Sequence, residues 1–261
     1  MIIRKSPREI EKIAAAGGLV AETIAHVGTL LAPGVTTEAL DTAAGAFIRE
    51  HRGIPTSEGY GPPGREYPKA ICISPNDVVV HGIPDGYVVG EGDLVTIDVG
   101  VTLDGYIADS AYTFGVGEIE PESQSLLDTA QEALAAGIAD AVVGNRVGDV
   151  SHAVQMLVER AGFSVVRSLV GHGVGRHYHE DPHIPNFGEP GRGPHLSEGM
   201  TIAIEPMITA GDSDVFVMDD GWTIRTADGS MSAHFEHTVA ITADGPRILT
   251  PRVGLARSVE V

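Results

Sequence analysis

The chain is poor in cysteine. Cys72 is the only cysteine among 261 residues, so no disulfide can form within the chain. A fold that depends on internal disulfides is therefore excluded, and a reducing compartment, the cytoplasm, is expected. Because Cys72 lies in an apolar run, we expect it to be a pocket or core thiol rather than a nucleophile.

Positive charge is also scarce. The chain has 17 Lys and Arg against 36 Asp and Glu, which gives a formal net charge of -19. A broad phosphate-binding surface needs clustered Lys and Arg, so nucleic acid is not expected as a direct substrate. The same scarcity argues against a metal-dependent phosphohydrolase, because the sequence has no cluster of basic residues that would bind phosphate.

Long hydrophobic runs are missing as well. The N-terminal stretch reads MIIRKSPREIEKIAAAGG and lacks the uninterrupted apolar core of a signal peptide. No apolar run approaches the length of a membrane span, so no membrane association is expected. Three enzyme motifs are also absent, namely the Gly-x-Ser-x-Gly elbow, the Walker loop and the dinucleotide glycine fingerprint.

What the chain does contain predicts paired helices. Ser6-Pro7-Arg8-Glu9 has the form of a capping box and predicts a helix start, Pro33-Gly34 ends that helix, and Thr37 is expected to cap a second one. Pro121 and Asp149 are expected to begin another pair. Helix, break, helix and then strands thus occur twice, about 110 residues apart, which suggests an internal two-fold duplication. With 43% hydrophobic residues and no linker-like composition shift, residues 1–261 are expected to form one α/β domain.

A β-hairpin over Val95 to Tyr112 carries two acidic residues. Asp104-Gly105 is a strong two-residue turn signal, and this turn would place Gly100 opposite Asp109. Asp98 and Asp109 then share one face of the hairpin, so their carboxylates can meet. Two like charges that close would raise each other's pKa unless a cation lies between them.

Two later segments carry further acids. Thr201 to Ile208 and Ser232 to Thr242 are predicted to be strands with Glu205 and Glu236 at their centres, whereas residues 181–194 are rich in Pro and Gly and too irregular for a core element. Buried acids without partners are costly, so the four carboxylates should converge. With His172 they make five candidate ligands, a donor set that suits a pair of Mn, Fe, Co or Zn ions and hydrolytic chemistry.

Histidine is informative at few other positions. Gly171 to His179 is a glycine-spaced loop with three imidazoles, where backbone can approach a ligand closely. His81 lies at the end of a predicted strand, and its residue pattern does not distinguish a surface position from a role in the site. The remaining candidates are expected to be ordinary surface residues, namely His26, His51, His152, His183 and His195.

Four stretches of the chain resemble type I methionine aminopeptidases of bacterial form, in peptidase family M24: IDVGVTLDGYIADSA, GHGVGRHYHEDP, IAIEPM and DGWTIRTADGSMSAHFEHT. The resemblance covers essentially the whole chain. It implies the pita-bread fold, an α/β (α+β) domain with a pseudo-two-fold axis, a curved antiparallel sheet and helices outside. It also implies a cytoplasmic metallo-aminopeptidase that removes the initiator methionine when the second residue is small.

The resemblance implies a role for each site residue. Two divalent ions (Co, Mn, Fe or Zn) would be held by five ligands, of which Asp109 and Glu236 bridge: Asp98, Asp109, His172, Glu205 and Glu236. Glu205 would also handle the proton of the attacking water, and His81 and His179 would contact the substrate and assist catalysis. The methionine pocket would be lined by Cys72, Tyr67, Tyr178, Met207 and Trp222.

The chain departs from the resembled family in two places. The loop Gly59 to Pro68 is longer than the family's usual segment, which leaves open how Tyr60 and Tyr67 pair with the pocket tyrosines, and His177 stands where a small residue is common. Neither departure affects the metal ligands.

Two alternative functions stay open at this point. A proline-directed peptidase of the same fold would use a similar ligand set, although such enzymes usually carry a further N-terminal domain. A non-catalytic, ribosome-associated binding protein would be free to lose ligands, and all five are present. For either enzyme the expected partners are peptide N-termini, with the ribosome possible, and the chain is expected to be a monomer.

Overall fold

A computed structural model describes residues 1–254, and residues 255–261 lie outside that description. The described part contains four α-helices in two pairs: α1 (Pro7–Leu30), α2 (Thr37–Glu50), α3 (Pro121–Ala139) and α4 (Val147–Arg160). The second helix of each pair has 14 residues. Directly before these helices, Thr36 forms an isolated bridge with Val88 and Arg146 forms one with His195. The two-fold repeat predicted from the sequence is therefore confirmed.

Two of the four helix starts differ from the prediction. α1 and α3 begin as expected, and the Glu9 carboxylate accepts a hydrogen bond from the Ser6 backbone N–H at 3.0 Å. For α2 the N-cap is Thr36, one residue earlier than predicted, because its side chain accepts from Ala39 N–H. For α4 the predicted cap Asp149 is wrong. Asp149 lies inside the first turn and accepts from the Arg146 N–H at 2.7 Å.

The described strands form four antiparallel sheets. One sheet holds β1, β2, β4 and β5, a second β6, β10 and β13, a third β3, β11 and β12, and a fourth β7, β8, β9, β14 and β15. Their bounds are β1 (Ile54–Pro55), β2 (Cys72–Pro75), β3 (Val78–Val80), β4 (Leu94–Leu103), β5 (Tyr106–Gly115), β6 (Ser164–Val165), β7 (Val170–Gly173), β8 (Glu180–Pro185), β9 (Thr201–Ile204), β10 (Met207–Thr209), β11 (Val215–Val217), β12 (Ile224–Thr226), β13 (Ser232–His234), β14 (His237–Thr242) and β15 (Gly245–Ile248).

The hairpin prediction is confirmed in register. In the β4–β5 pair, Leu103 pairs with Tyr106 across the Asp104-Gly105 turn, and Gly100 pairs with Asp109. Asp104 and Gly105 both have positive φ, at 49° and 77°. A two-residue turn of that shape matches the right-handed twist of the strands, so local turn chemistry alone sets which residues face each other.

Two predicted strands are each broken at the acid they carry. The chain leaves β9 at Ile204 and enters β10 at Met207, so Glu205 lies between strands of different sheets. Glu236 lies in the same way between β13 and β14. Because Pro206 has no N–H to give to a ladder, the strand cannot continue through it. The acids therefore lie at a junction of sheets and not at strand centres.

Residues 181–194, which are rich in Pro and Gly and were predicted to be too irregular for a core element, are more ordered than predicted. Their first part belongs to β8, an edge strand that pairs with β7. Burial alternates along β8, with Glu180, Pro182 and Ile184 buried. Proline is tolerated at an edge because one side of the strand has no ladder partner.

The two largest apolar clusters in the described residues form most of the core, one under each helix pair. The first packs α1 and α2 against β4 and β5, and the second packs α3 and α4 against β9 and β14. Tyr112 of β5 packs against both clusters. By length and mean hydropathy (1.4) α1 could also cross a membrane, but half of that apolar window is buried in the molecule. Packing against the hairpin accounts for the apolar face of α1.

Candidate active site

The four predicted carboxylates converge where the two halves of the fold meet. Asp98 and Asp109 project from the paired strands β4 and β5, Glu205 follows β9, and Glu236 precedes β14. Backbone and side-chain hydrogen bonds join β5 to the Glu236 segment. Glu236 N–H donates to Ala111 O at 3.0 Å, and Thr238 Oγ1 donates to Asp109 O at 2.8 Å. These contacts hold Glu236 against the hairpin that carries both aspartates.

The donor atoms lie close enough to share a cation. One donor atom each from Asp109, His172 and Glu236 lies within 4.8 Å of the other two. His172 Nε2 is also 3.5 Å from Glu205 Oε1. The His172 Nδ1–H donates to Gly173 O at 2.9 Å, which leaves the lone pair of Nε2 directed at the carboxylates. A neutral imidazole oriented in this way is suited to bind a metal.

The electrostatics of the cluster indicate that it is built for cations. Burial raises the pKa of Asp98, Glu205 and Glu236 well above their usual range, and the neighbouring carboxylates raise it further. Burial also raises the pKa of Asp109 to about 7. One oxygen of each of the four carboxylates is buried and has no hydrogen-bond partner within residues 1–254. Divalent ions would supply both the missing charge and the missing contacts, so the residues fit a metal centre.

A cavity of about 540 Å³, its open mouth included, lies over the carboxylates. Four of the five residues expected in the methionine pocket line this cavity, namely Tyr67, Cys72, Tyr178 and Trp222, and so does His81. The rings of Tyr67 and Trp222 meet edge to face at 5.3 Å. The Tyr67 hydroxyl donates to Gly82 O at 2.7 Å, so the polar tip of this ring is satisfied and its body is left to the cavity.

Cys72 and Met207 differ in their placement. Burial, followed by the charge of Asp98, raises the pKa of the Cys72 thiol well above its usual value. The thiol therefore stays protonated, which argues against Cys72 as a nucleophile. Met207 does not line the cavity. It packs with Val79, Val80 and Ile224 in a separate apolar cluster, and of these Val80 reaches the cavity wall.

His81 and His179 both line the cavity. His81 has φ 57°, a left-handed conformation that non-glycine residues rarely adopt. The adjoining backbone is fixed by two hydrogen bonds, Gly82 N–H to Ser74 Oγ and Ile73 N–H to Gly82 O. Residues held in such conformations are concentrated at functional sites. Burial lowers the pKa of His81 to about 4 and also lowers that of His179, so both rings are neutral near pH 7.

Sequence reasoning missed His234. This side chain lines the cavity, and both of its ring nitrogens are buried without a hydrogen-bond partner within residues 1–254. Its Nε2 is 3.9 Å from Glu205 Oε2 and 4.0 Å from Glu236 Oε2. His234 precedes Glu236 by two positions, and that spacing in an extended segment could have placed it beside the ligands. Ser57, Tyr60 and Val80 are further lining residues that had no assigned role.

The five histidines expected to be ordinary surface residues lie away from the cavity. His51, His183 and His195 are exposed, and His26 and His152 are half-buried. None of them is among the residues that line the cavity.

Comparison with known proteins agrees with this geometry. Metallopeptidase family M24 matches residues 11–243. A methionine aminopeptidase from Clostridium perfringens is 49% identical over 251 residues, which cover 96% of this chain and 99% of that protein. The chain belongs to the methionine aminopeptidases of family M24. The resemblance inferred from the sequence motifs is therefore confirmed, and membership of a metallopeptidase family implies a divalent metal cofactor.

Solved structures confirm the pita-bread fold. The crystal structure of a methionine aminopeptidase from Thermotoga maritima matches with a TM-score of 0.93 at 46% identity, covering 96% of this chain and 99% of that one. Prolidase from Pyrococcus furiosus matches with a TM-score of 0.77 at 21% identity, covering 95% of this chain and 65% of that one. The prolidase likeness extends to the fold alone. A proline-directed peptidase is therefore not favoured over a methionine aminopeptidase.

Proposed function

We propose that this chain hydrolyses the first peptide bond of polypeptides that begin with methionine, using two divalent ions, and prefers a small second residue. The observation that carries this proposal is the buried carboxylate and imidazole cluster beside a cavity lined by Tyr67, Cys72 and Trp222. An unbranched thioether side chain suits a polarizable slot with aromatic walls. The substrates would be the N-termini of nascent chains in the cytoplasm, with the protein acting as a monomer.

Each site residue has a role in this proposal. One ion would be held by Asp98, Asp109 and Glu236, and the other by Asp109, His172, Glu205 and Glu236. When bound, such ions lower the pKa of a water molecule to near neutrality and polarise the scissile carbonyl. Glu205, at the edge of the cluster, accepts the proton of the attacking water and passes it to the leaving amine.

His81 and His179 act on the substrate itself. Both are neutral rings on the cavity wall, His81 half-buried and His179 exposed, so each has one N–H to donate. We assign them to hydrogen bonds with the peptide around the scissile bond, where a donor stabilises charge that develops on the carbonyl oxygen. Tyr67, Cys72, Tyr178 and Trp222 position the methionine side chain.

A panel of three peptides tests the function. We expect metal-dependent release of methionine from Met-Ala-Ser, much slower release of leucine from Leu-Ala-Ser, and little cleavage of a peptide in which proline follows methionine. Strong cleavage only before proline would favour the proline-directed alternative. Absence of turnover with Mn, Fe and Co, despite bound metal, would leave a ribosome-associated binding role as the better account.

A further inference from the structure

Tyr60 and His179 form a short hydrogen bond at the cavity wall. The Tyr60 hydroxyl lies 2.6 Å from His179 Nδ1. Within residues 1–254 this is the only hydrogen bond recorded for either side chain. The two rings are 5.2 Å apart, and Tyr60 also meets Tyr178 edge to face at 5.1 Å. Both side chains line the cavity beside the carboxylate cluster.

The direction of this hydrogen bond decides which nitrogen of His179 carries the proton. A neutral imidazole has one N–H and one lone pair, and the partner of one nitrogen fixes the state of the other. The phenol is the stronger acid of the two groups and imidazole nitrogen is the better acceptor, so Tyr60 donates to Nδ1. Burial raises the pKa of Tyr60, which keeps the hydroxyl protonated as this donor requires.

We propose that Tyr60 is a positioning residue that holds His179 in the tautomer with its proton on Nε2. This inference deepens the proposed function and rests on it, because it gives His179 the donor that the reaction needs. Because Nδ1 accepts the hydrogen bond from Tyr60, Nε2–H is the remaining donor that the His179 ring can offer to a ligand in the cavity. The opposite tautomer would present a lone pair to a carbonyl oxygen that is gaining negative charge, and would repel it.

The loop that carries Tyr60 is itself anchored. Gly59 N–H donates to Tyr67 O at 2.9 Å and Tyr67 N–H donates to Tyr60 O at 2.7 Å, which closes the loop on itself. Trp222 Nε1 donates to Arg65 O at 3.0 Å. A Cβ at Gly61 would lie only 2.7 Å from the Trp222 ring, so backbone and indole are in close contact. The segment 59–68 thus contacts both Trp222 and His179 and contains Tyr67. Its hydrogen bonds hold the Tyr60 hydroxyl within reach of His179 Nδ1.

The experiment compares Tyr60→Phe with the native chain. The substitution removes the hydroxyl and keeps the ring that packs on Tyr178 and His179. Tyr87→Phe is the matched control, because Tyr87 has the same exposed fraction, 37%, and donates to Asp93 away from this cavity. Protein labelled with ¹⁵N-histidine is studied by long-range ¹H–¹⁵N NMR, with His179→Gln to assign the signal, and methionine release from Met-Ala-Ser is measured in parallel.

The proposal predicts an Nε2–H signal for His179 in the native chain and in Tyr87→Phe. In Tyr60→Phe the Nδ1–H form should appear, and kcat should fall about tenfold while KM stays within about twofold, since a catalytic hydrogen-bond donor is partly lost. An Nδ1–H or doubly protonated His179 in the native chain would overturn the proposal, and so would a Tyr60→Phe variant with native tautomer or native kcat. If the native chain releases no methionine, the proposed function fails, and the NMR signal still decides the role of Tyr60.

Discussion

Replacement of Glu205 should lower turnover without affecting the folded state, and it therefore distinguishes a catalytic role from a structural one. Glu205→Gln keeps the shape of the side chain and removes its ability to accept a proton, so we expect turnover to fall about a thousandfold. The folded state should be retained, because the burial that raises the pKa of Glu205 makes its charged form unfavourable in the metal-free protein. Kinetics and a thermal melt measure these two consequences, and metal content is determined alongside them.

A surface acid provides the control for this substitution. Glu198 is exposed, and Glu198→Gln should leave turnover and the melting temperature unchanged. Native kinetics in Glu205→Gln would remove Glu205 from proton transfer.

His179 should prove to act on substrate and not to bind metal. His179→Ala is expected to lower kcat about a hundredfold while the metal content of the protein stays near the native value. The matched control is His183→Ala, since His183 is exposed and does not line the cavity. Metal content is measured by elemental analysis after gel filtration. Complete loss of metal in His179→Ala would mean that this histidine is a ligand.

At the scale of elements, two neighbouring glycines in α1 test how closely this helix approaches Leu249, the residue that follows β15. A Cβ at Gly17 would lie 2.0 Å from the Leu249 carbonyl oxygen, whereas a Cβ at Gly18 has no atom within 4 Å. Gly17→Ala should therefore destabilise the protein by about 2 kcal/mol through overpacking. Gly18→Ala should stabilise it by roughly 0.5 to 1 kcal/mol, because alanine favours a helix.

Urea denaturation of both variants measures these changes in the free energy of unfolding. Equal effects of the two substitutions would mean that the close approach of α1 to Leu249 does not exist in solution.

Sequence reasoning succeeded where the determinants are local. The register of β4 and β5 follows from the Asp104-Gly105 turn, and the start of α1 follows from Ser6 and Glu9. It was wrong at the cap of α4, because Asp149 lies in the first turn and its carboxylate reaches back to the N–H of the N-cap residue Arg146. It also missed the breaks at Glu205 and Glu236, since the change of sheet there depends on tertiary contacts that no local pattern records.

The same limit applies to the candidate site. The four acids could be found because carboxylates in apolar segments are unusual and need partners. His234 was missed although it precedes Glu236 by only two positions. Met207, expected to line the pocket, packs in one apolar cluster with Val80, which reaches the cavity wall. Residue type thus identified most of the side chains that line the cavity, whereas tertiary packing decided which of them reach its wall.

At the scale of the whole molecule, the carboxylate cluster should make stability depend on pH and metal together. The pKa of Asp109 is raised to about 7 and those of Asp98, Glu205 and Glu236 are raised well above their usual range, so above about pH 7.5 these carboxylates bind more protons in the folded chain than in the unfolded chain. Stability then falls as pH rises. The histidines whose pKa is lowered by burial would oppose this trend near their ordinary pKa of 6.5, but above about pH 7.5 they are neutral in both the folded and the unfolded chain.

We therefore expect the metal-free protein to melt at a lower temperature at about pH 8.5 than at about pH 7.5, where the sign follows from linkage. Manganese binding requires the carboxylates to be deprotonated, so its stabilising effect should be larger at the higher pH. Thermal melts with and without Mn at both values measure the difference. A melting temperature of the metal-free protein that stays constant or rises with pH would contradict the charge arrangement of the cluster.

The most direct test of the account is the rate of methionine release from Met-Ala-Ser as Mn, Fe or Co is added stepwise to metal-free protein. We predict no release without metal, activity that rises with the bound ion, and inactivity of Glu205→Gln at equal metal content. Full activity of the chelated protein, or none with any metal bound, would contradict the assignment of these carboxylates to a hydrolytic metal centre.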